Sequence, residues 1–303
     1  NMNKSQFKKL YILCNISLLG AALISGLSFV AQKIGMTYTG PFTFNTLRCA
    51  IGSLSILPLI YFFRNSADLN KINTSKTLLF KGAFIAGCVL FVAFSINQYC
   101  MIYAPASKAG FITSLYVIFV PVIAVFMKHK MLLNVKISIL LALLGLYLLC
   151  SKGSLSFEPW DILLLLSAFF FALHIIVVSH YSKKVSALAL SCLQFVFACI
   201  LSAPFMFILE TPALASILAG WKPILFIGVI VTGAAYTLQI FGHKATHPVL
   251  ATLILSSEAV FALLGGVIIL NETLSMREIS GCIVMIGAII LSQLTPKNKI
   301  IQK

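Results

Sequence analysis

Acidic side chains are scarce in this sequence. Its 303 residues carry 7 Asp and Glu against 22 Lys and Arg, and charge of both signs together makes up only 10%. A soluble domain carries about a quarter. With 60% hydrophobic residues and a mean hydropathy of +1.04, so little charge excludes a water-soluble globule. A chain of this length cannot hide that much apolar surface in one core. The eight cysteines show no Cys-x-x-Cys and no Cys/His metal spacing, and all lie in or beside apolar runs. Zinc modules and disulfide frameworks are therefore not expected. There is no phosphate-cradling glycine loop, no His-Glu-x-x-His, no paired intramembrane aspartates and no segment large enough for a nucleotide-hydrolysing domain. ATP-driven pumps and intramembrane proteases are thus not expected, nor is any metal, cofactor or catalytic residue. The net charge of +15 does not point to nucleic acid, because the basic residues fall in short clusters between long apolar runs.

What is present is a succession of such runs. Ten approach the roughly 20 residues that a bilayer core requires: 11–32, 41–63, 82–98, 107–127, 133–150, 159–181, 187–209, 223–242, 248–270 and 279–295. The first follows Lys4, Lys8 and Lys9 as a signal peptide would. However, it is long and ends on Gln32-Lys33, which is no small-residue cleavage site, so it reads as a span. With the N-terminus inside, Lys33, Lys152, Lys222 and Arg277 fall outside, and Arg48 and Lys108 lie within or at the lip of spans. The other sixteen of the 22 basic residues fall inside. This bias supports both the count and the orientation. The expected fold is all-α and polytopic, with ten transmembrane helices and cytoplasmic termini, most simply in a bacterial cytoplasmic membrane. Trp160 and Trp221 sit at expected outer ends, as interface anchors do.

The chain also repeats itself. Shifted by 142 residues, "KAGFITSLYVIFVPVIAVFMKHKMLL" lies on "VLATLILSSEAVFALLGGVIILNETL", so that Ser114 meets Ser256 and Tyr116 meets Glu258. A shift of 146 puts Pro58 on Pro204 and Arg48 on Gln194, and a shift of 141 puts Gln98 on Gln239. Residues 1–150 and 151–303 thus read as two five-helix repeats forming one membrane unit. Five is odd, so the second repeat is expected to enter from the opposite side. The loop with Lys128, His129, Lys130 and Lys136 and its counterpart with Asn271, Glu272, Arg277 and Glu278 differ in charge accordingly. Inverted repeats are typical of secondary transporters, whose substrate site lies near the midplane between the repeats.

The ten-span layout, "ASKAGFITSLYVIFVP" (106–121) and "SSEAVFALLGGVIILNETLS" (256–275) resemble the two halves of an EamA-type carrier of the drug/metabolite transporter superfamily. The resemblance covers nearly the whole chain. It implies ten helices around a central cavity, spans five and ten as outer supports, and alternating access without ATP. In that family both loops after spans four and nine often carry Glu-x-Leu. Here the second has Glu272-Thr-Leu, but the first has Lys130-Met-Leu. A symmetric role for those glutamates is therefore not expected, and Glu272 reads as a loop anchor.

The candidate site follows from the ionisable residues inside the spans. Glu258, ten residues into the ninth span, stands roughly 15 Å deep. A carboxylate there costs about 2.5–3.5 kcal/mol on insertion scales and so faces a cavity or another helix. Three roles stay open for it: holding a cationic substrate group, exchanging protons, or bonding to hydroxyls, backbone or Arg48. Arg48, in the second span, reads as a helix–helix anchor or as a clamp for an anionic group, within reach of Glu258. His174 reads as a core residue or a proton relay. Asn45, Gln98, Gln194, Tyr236 and Gln239 either line the pocket or bridge helices. Phe29, Tyr116 and Tyr236 lie where a cavity wall is expected. Pro121, with Gly265-Gly266 at the matching place, suggests bends, either gating or static.

The expected function is secondary transport of a small polar or amphipathic metabolite. An amino acid or amine-bearing metabolite comes first and a nucleoside-type one such as S-adenosylmethionine next. A lipid or lipid-carrier flippase is the alternative of another class. The partners expected are that small molecule, membrane lipids and protons as a candidate coupling ion, with the chain a monomer or homodimer and no nucleic acid bound.

Overall fold

A computed structural model describes residues 4–62, 76–104, 106–127, 133–150, 158–270 and 275–293. The loop residues Lys128, His129, Lys130 and Glu272, and both chain termini, lie outside the described residues. Those residues are helical apart from short turns. In lipid, only internal hydrogen bonding satisfies the backbone, and a helix provides it within one segment.

The helices are α1 (Lys4–Gly35), α2 (Pro41–Phe62), α3 (Lys76–Tyr103), α4 (Ala106–Ser114), α5 (Tyr116–Phe126), α6 (Leu133–Cys150) and α7 (Pro159–Tyr181), followed by α8 (Ala187–Leu209), α9 (Leu214–Ala219) and α10 (Trp221–Leu225). A π-helical stretch (Phe226–Ala235) leads into α11 (Tyr236–Gly242), then α12 (Pro248–Leu255), α13 (Glu258–Leu270) and α14 (Met276–Gln293). Among the described residues seven segments are long and apolar enough to cross a bilayer. Leu133–Leu148, Pro248–Leu264 and Ile279–Ser292 are shorter apolar helices. Large apolar side chains such as Phe62, Phe126, Phe207 and Ile208 stand outward and exposed, as a lipid-facing surface requires.

Local chemistry sets the helix starts. Proline, which lacks the N–H that a first turn leaves unpaired, begins α2, α7 and α12. Glu158 and Asp161 form a capping box on α7, and Ser186 accepts from the Ala189 N–H to cap α8. The α2 start is capped from another element. The Glu210 carboxylate, just past α8, accepts from the Phe42 and Thr43 N–H groups at 2.8 Å each and from the Thr43 hydroxyl at 2.6 Å. Gly40 leaves room for it, since a Cβ there would overlap the carboxylate.

Helix pairings recur between the halves. α1 packs on α13, and α7 on α4 and α5. α3 packs on α7, and the π-stretch and α11 on α1. α8 packs on α3, and the π-stretch on α2. α2 pairs with α8, and α6 with α14. The last contact is close: a Cβ on Gly145 would lie 3.0 Å from the Gly281 carbonyl oxygen.

Three helices differ from their expected form. The fourth and ninth runs are interrupted, at Leu115 and at Ser256-Ser257. The helices themselves continue through Pro121 and through Gly265 and Gly266. Both serine hydroxyls at the second break bond back to carbonyls three residues earlier, at 2.8 Å and 2.6 Å, in competition with the helical ladder. The eighth run is π-helical in its middle, where Gly228 and Gly233 let α2 approach; a Cβ at either would crowd Ile51 or Ser55.

Candidate functional site

The two helix breaks set where the site lies. Leu115 and Ser257 are 142 residues apart, so Tyr116 and Glu258 each open the half-helix that follows. The Tyr116 hydroxyl donates to Glu258 Oε1 at 3.1 Å, and the Ser114 hydroxyl donates to the same oxygen at 3.0 Å. Oε2 carries no hydrogen bond among the described residues. Glu258 is held there by a close approach of α1, because a Cβ on Gly26 would overlap the Glu258 carbonyl oxygen.

Glu258 lines a cavity of about 60 Å³ with Tyr116, Phe29, Arg48, His174, Tyr236 and Gln239. That is room for roughly four to six waters. Ser25, Ser28, Gln32, Phe94, Asn97, Thr113, Phe171, Ile175, Val231 and Leu255 complete the wall. Six pairs in it share the offset of 142: Phe29 and Phe171, Gln32 and His174, Phe94 and Tyr236, Asn97 and Gln239, Thr113 and Leu255, Tyr116 and Glu258. Two of these pairs touch each other. Phe94 meets Tyr236 edge-on with ring centroids 5.6 Å apart, and Tyr116 bonds Glu258. Equivalent positions of the two halves thus face one another across the cavity. The chemistry is nevertheless asymmetric, for only one half supplies a carboxylate.

Arg48 is 2% exposed. Its Nε donates to Thr232 Oγ1 at 3.2 Å, its Nη1 donates to Gln32 Oε1 at 3.3 Å, and its guanidinium lies 4.1 Å from the Phe94 ring centroid. The expected reach toward Glu258 is not made: no ion pair joins them, because Thr232, Gln32 and Phe94 hold the guanidinium in place. The π-helical stretch presents Thr232 at that point, and π-turns are frequent at functional sites. Nη2 has no partner among the described residues, so the cavity offers one unused cationic donor and one unused carboxylate oxygen.

Asn45, Gln98 and Gln194 are buried but do not line the cavity. Asn45 lies one turn from Arg48 toward the start of α2, and both its side-chain polar atoms lack partners among the described residues. Gln98 is turned off the lining face, which Asn97 occupies, and donates to the Gln32 carbonyl at 3.3 Å. The counterpart of Gln239 is therefore Asn97, one residue from the expected Gln98. Gln194 stands behind the wall, its Oε1 3.0 Å from His174 Nε2. Sequence reasoning missed Gln32, Ser114 and Thr232, which hold the charged groups, and Asn97, which lines the cavity. The 142 offset, applied throughout, would have singled out Asn97 and Gln32 as partners of Gln239 and His174. Among the described residues no disulfide joins two cysteines, and no cluster of His, Cys, Asp and Glu fits a metal ion.

Comparison with known proteins agrees with this architecture. Residues 12–151 and 158–294 each match the EamA-like transporter family. An uncharacterized transporter of Archaeoglobus fulgidus is 32% identical over 288 residues, covering 95% of this chain and 87% of that protein. The uncharacterized transporter YoaV of Bacillus subtilis is 21% identical over 287 residues, covering 92% and 96%. One solved crystal structure superposes with a TM-score of 0.76 over 94% of this chain and 97% of that one, and its 16% identity bears on the fold alone. By both halves and by its relative in Archaeoglobus, this integral membrane chain belongs to the EamA-like transporter family of the drug/metabolite transporter superfamily.

Proposed function

We propose that the protein is a secondary carrier of a small metabolite bearing both an amine and a carboxylate, an amino acid first among them. In this reading ten spans form two inverted five-helix repeats with cytoplasmic termini, and the cavity is the substrate site. The supporting geometry is the cavity where equivalent residues of the two halves meet and half-helices begin at Tyr116 and Glu258. One observation carries the substrate class. Ser114 and Tyr116 fix one oxygen of Glu258 and leave the other unused, while Thr232 and Gln32 fix Arg48 and leave Nη2 unused. A zwitterion supplies the two missing partners. The rings of Phe29, Phe94, Phe171 and Tyr236 would hold an apolar side chain or a base. A nucleoside-type metabolite with an amino-acid end, such as S-adenosylmethionine, satisfies the same groups.

A cavity of about 60 Å³ admits such a molecule only when its walls part, which alternating access provides. The test is thermal unfolding of the purified protein against a panel of amino acids, amines, nucleoside-type metabolites and lipid-linked sugars, with Glu258→Gln alongside. A ligand at 100 times its dissociation constant adds about 2.7 kcal/mol of stability. We expect an amine-bearing hit that Glu258→Gln abolishes. A hit confined to lipid-linked sugars would replace this reading with a flippase, and a hit unaffected by Glu258→Gln would remove Glu258 from the site.

A further inference from the structure

His243 lies just past α11, fully buried, and neither ring nitrogen has a partner among the described residues. A neutral imidazole carries one donor and one acceptor, and each is costly to leave dry. Such a group is rarely mere packing. It follows Tyr236 and Gln239 by seven and four residues, so one face of this helix runs from the cavity wall to His243. Its position along the bundle is set by neighbours. Cys14 of α1 donates to the Phe241 carbonyl at 3.4 Å, and Thr246 donates to Asn15 at 2.9 Å. His243 therefore sits at the end that carries the start of α1, which the charge bias assigns to the cytoplasm.

Four of the five histidines gather toward this end. His174 lines the cavity with its Nδ1 unpartnered, and His180 and His247 stand nearer the surface. The groups in electrostatic reach of His243 are His174 of α7, Lys183 just after it, and His247. Lys244 adjoins it in the chain; α1 packs on this segment through Cys14 and Leu18, and α8 through Ser191, which bonds Thr237. None of these is acidic, so among the described residues no group in its electrostatic reach stabilises an imidazolium while the site is shut. Burial first, then the positive neighbours, push its pKa down to about 3.

We propose that His243 is a proton-binding site at the inner mouth, and that a proton taken up there from the cytoplasmic side favours the conformation in which that mouth is open. One proton passes from water to a ring nitrogen and no other bond changes. Once hydrated, the imidazole titrates near its ordinary value of about 6.5, whereas in the shut form it stays neutral. The shut form's advantage is therefore complete above pH 6.5 and declines as pH falls below it. Between pH 7.5 and 5.5 the opening equilibrium shifts about tenfold. The inference rests on the carrier reading for its two conformations, but its readout needs no substrate.

The test is hydrogen–deuterium exchange of the full chain in nanodiscs, corrected for intrinsic chemical rates, over residues 182–190 and 240–247. In the wild type these segments should exchange about tenfold faster at pH 5.5 than at pH 7.5, flat above pH 7 and rising below it. In His243→Gln the dependence should disappear, and equally in His243→Phe, which fills the same apolar space. A flat wild-type profile overturns the proposal whether or not the variants fold. A pH dependence that survives in either folded variant overturns it as well. Neither result bears on the metabolite panel, so failure of one reading is distinguishable from failure of the other.

Discussion

At the scale of single residues, the site rests on two charges held by neutral neighbours. Arg48 shows why its chemistry is specific. A planar guanidinium satisfies Thr232 and Gln32 together and still faces the cavity with a third nitrogen, which a lysine cannot do. Arg48→Lys should fold and yet lose any ligand-induced rise in melting temperature. Thr232→Val removes one acceptor of a buried charge and should lower stability by about 1–3 kcal/mol, read by thermal unfolding without ligand. Glu258 was legible in the sequence because one carboxylate in a long apolar run has few harmless explanations. Asn97 and Gln32 were not, because uncharged polar residues serve equally well as helix bridges. A one-residue error of phase turns a side chain by about 100° on a helix, which is how Gln98 stood in for Asn97.

At the scale of elements, the irregularities matter more than the helices. The breaks before Tyr116 and Glu258 bring those two side chains to the cavity, and the π-helical stretch carries Thr232 to Arg48. None was visible as a composition signal. Leu115 carries no glycine or proline, and the prolines and glycines that do occur nearby lie on continuous helix. Glu210 is a second device of this kind, tying the end of α8 to the start of α2 through three hydrogen bonds. A glutamine keeps one acceptor oxygen and loses the charge that favours a helix N-terminus. Glu210→Gln should therefore cost about 1–2 kcal/mol and lower the melting temperature, with ligand response retained.

At the scale of the whole molecule, the helix pairings recur between the halves and the offset of 142 holds across the cavity. If those halves are inverted in the membrane, Lys222 and Lys184, both exposed, face opposite compartments. In a cysteine-free background on intact cells, Lys222→Cys should react with an impermeant maleimide and Lys184→Cys should not until the membrane is opened. Equal reactivity of both would overturn the orientation.

The sequence by itself determined that the chain belongs in a membrane, marked the apolar segments within a few residues, and singled out Glu258 with Tyr116 as its counterpart. Hydropathy reports transfer out of water, and that is what places a segment in a bilayer. Which faces converge was decided only by the tertiary structure. Inside lipid, an apolar side chain against a neighbouring helix and one against an acyl chain are nearly equivalent in free energy, so composition carries little record of the difference. Close approaches such as Gly26 on Glu258 and the held position of Arg48 appear only once the helices are packed.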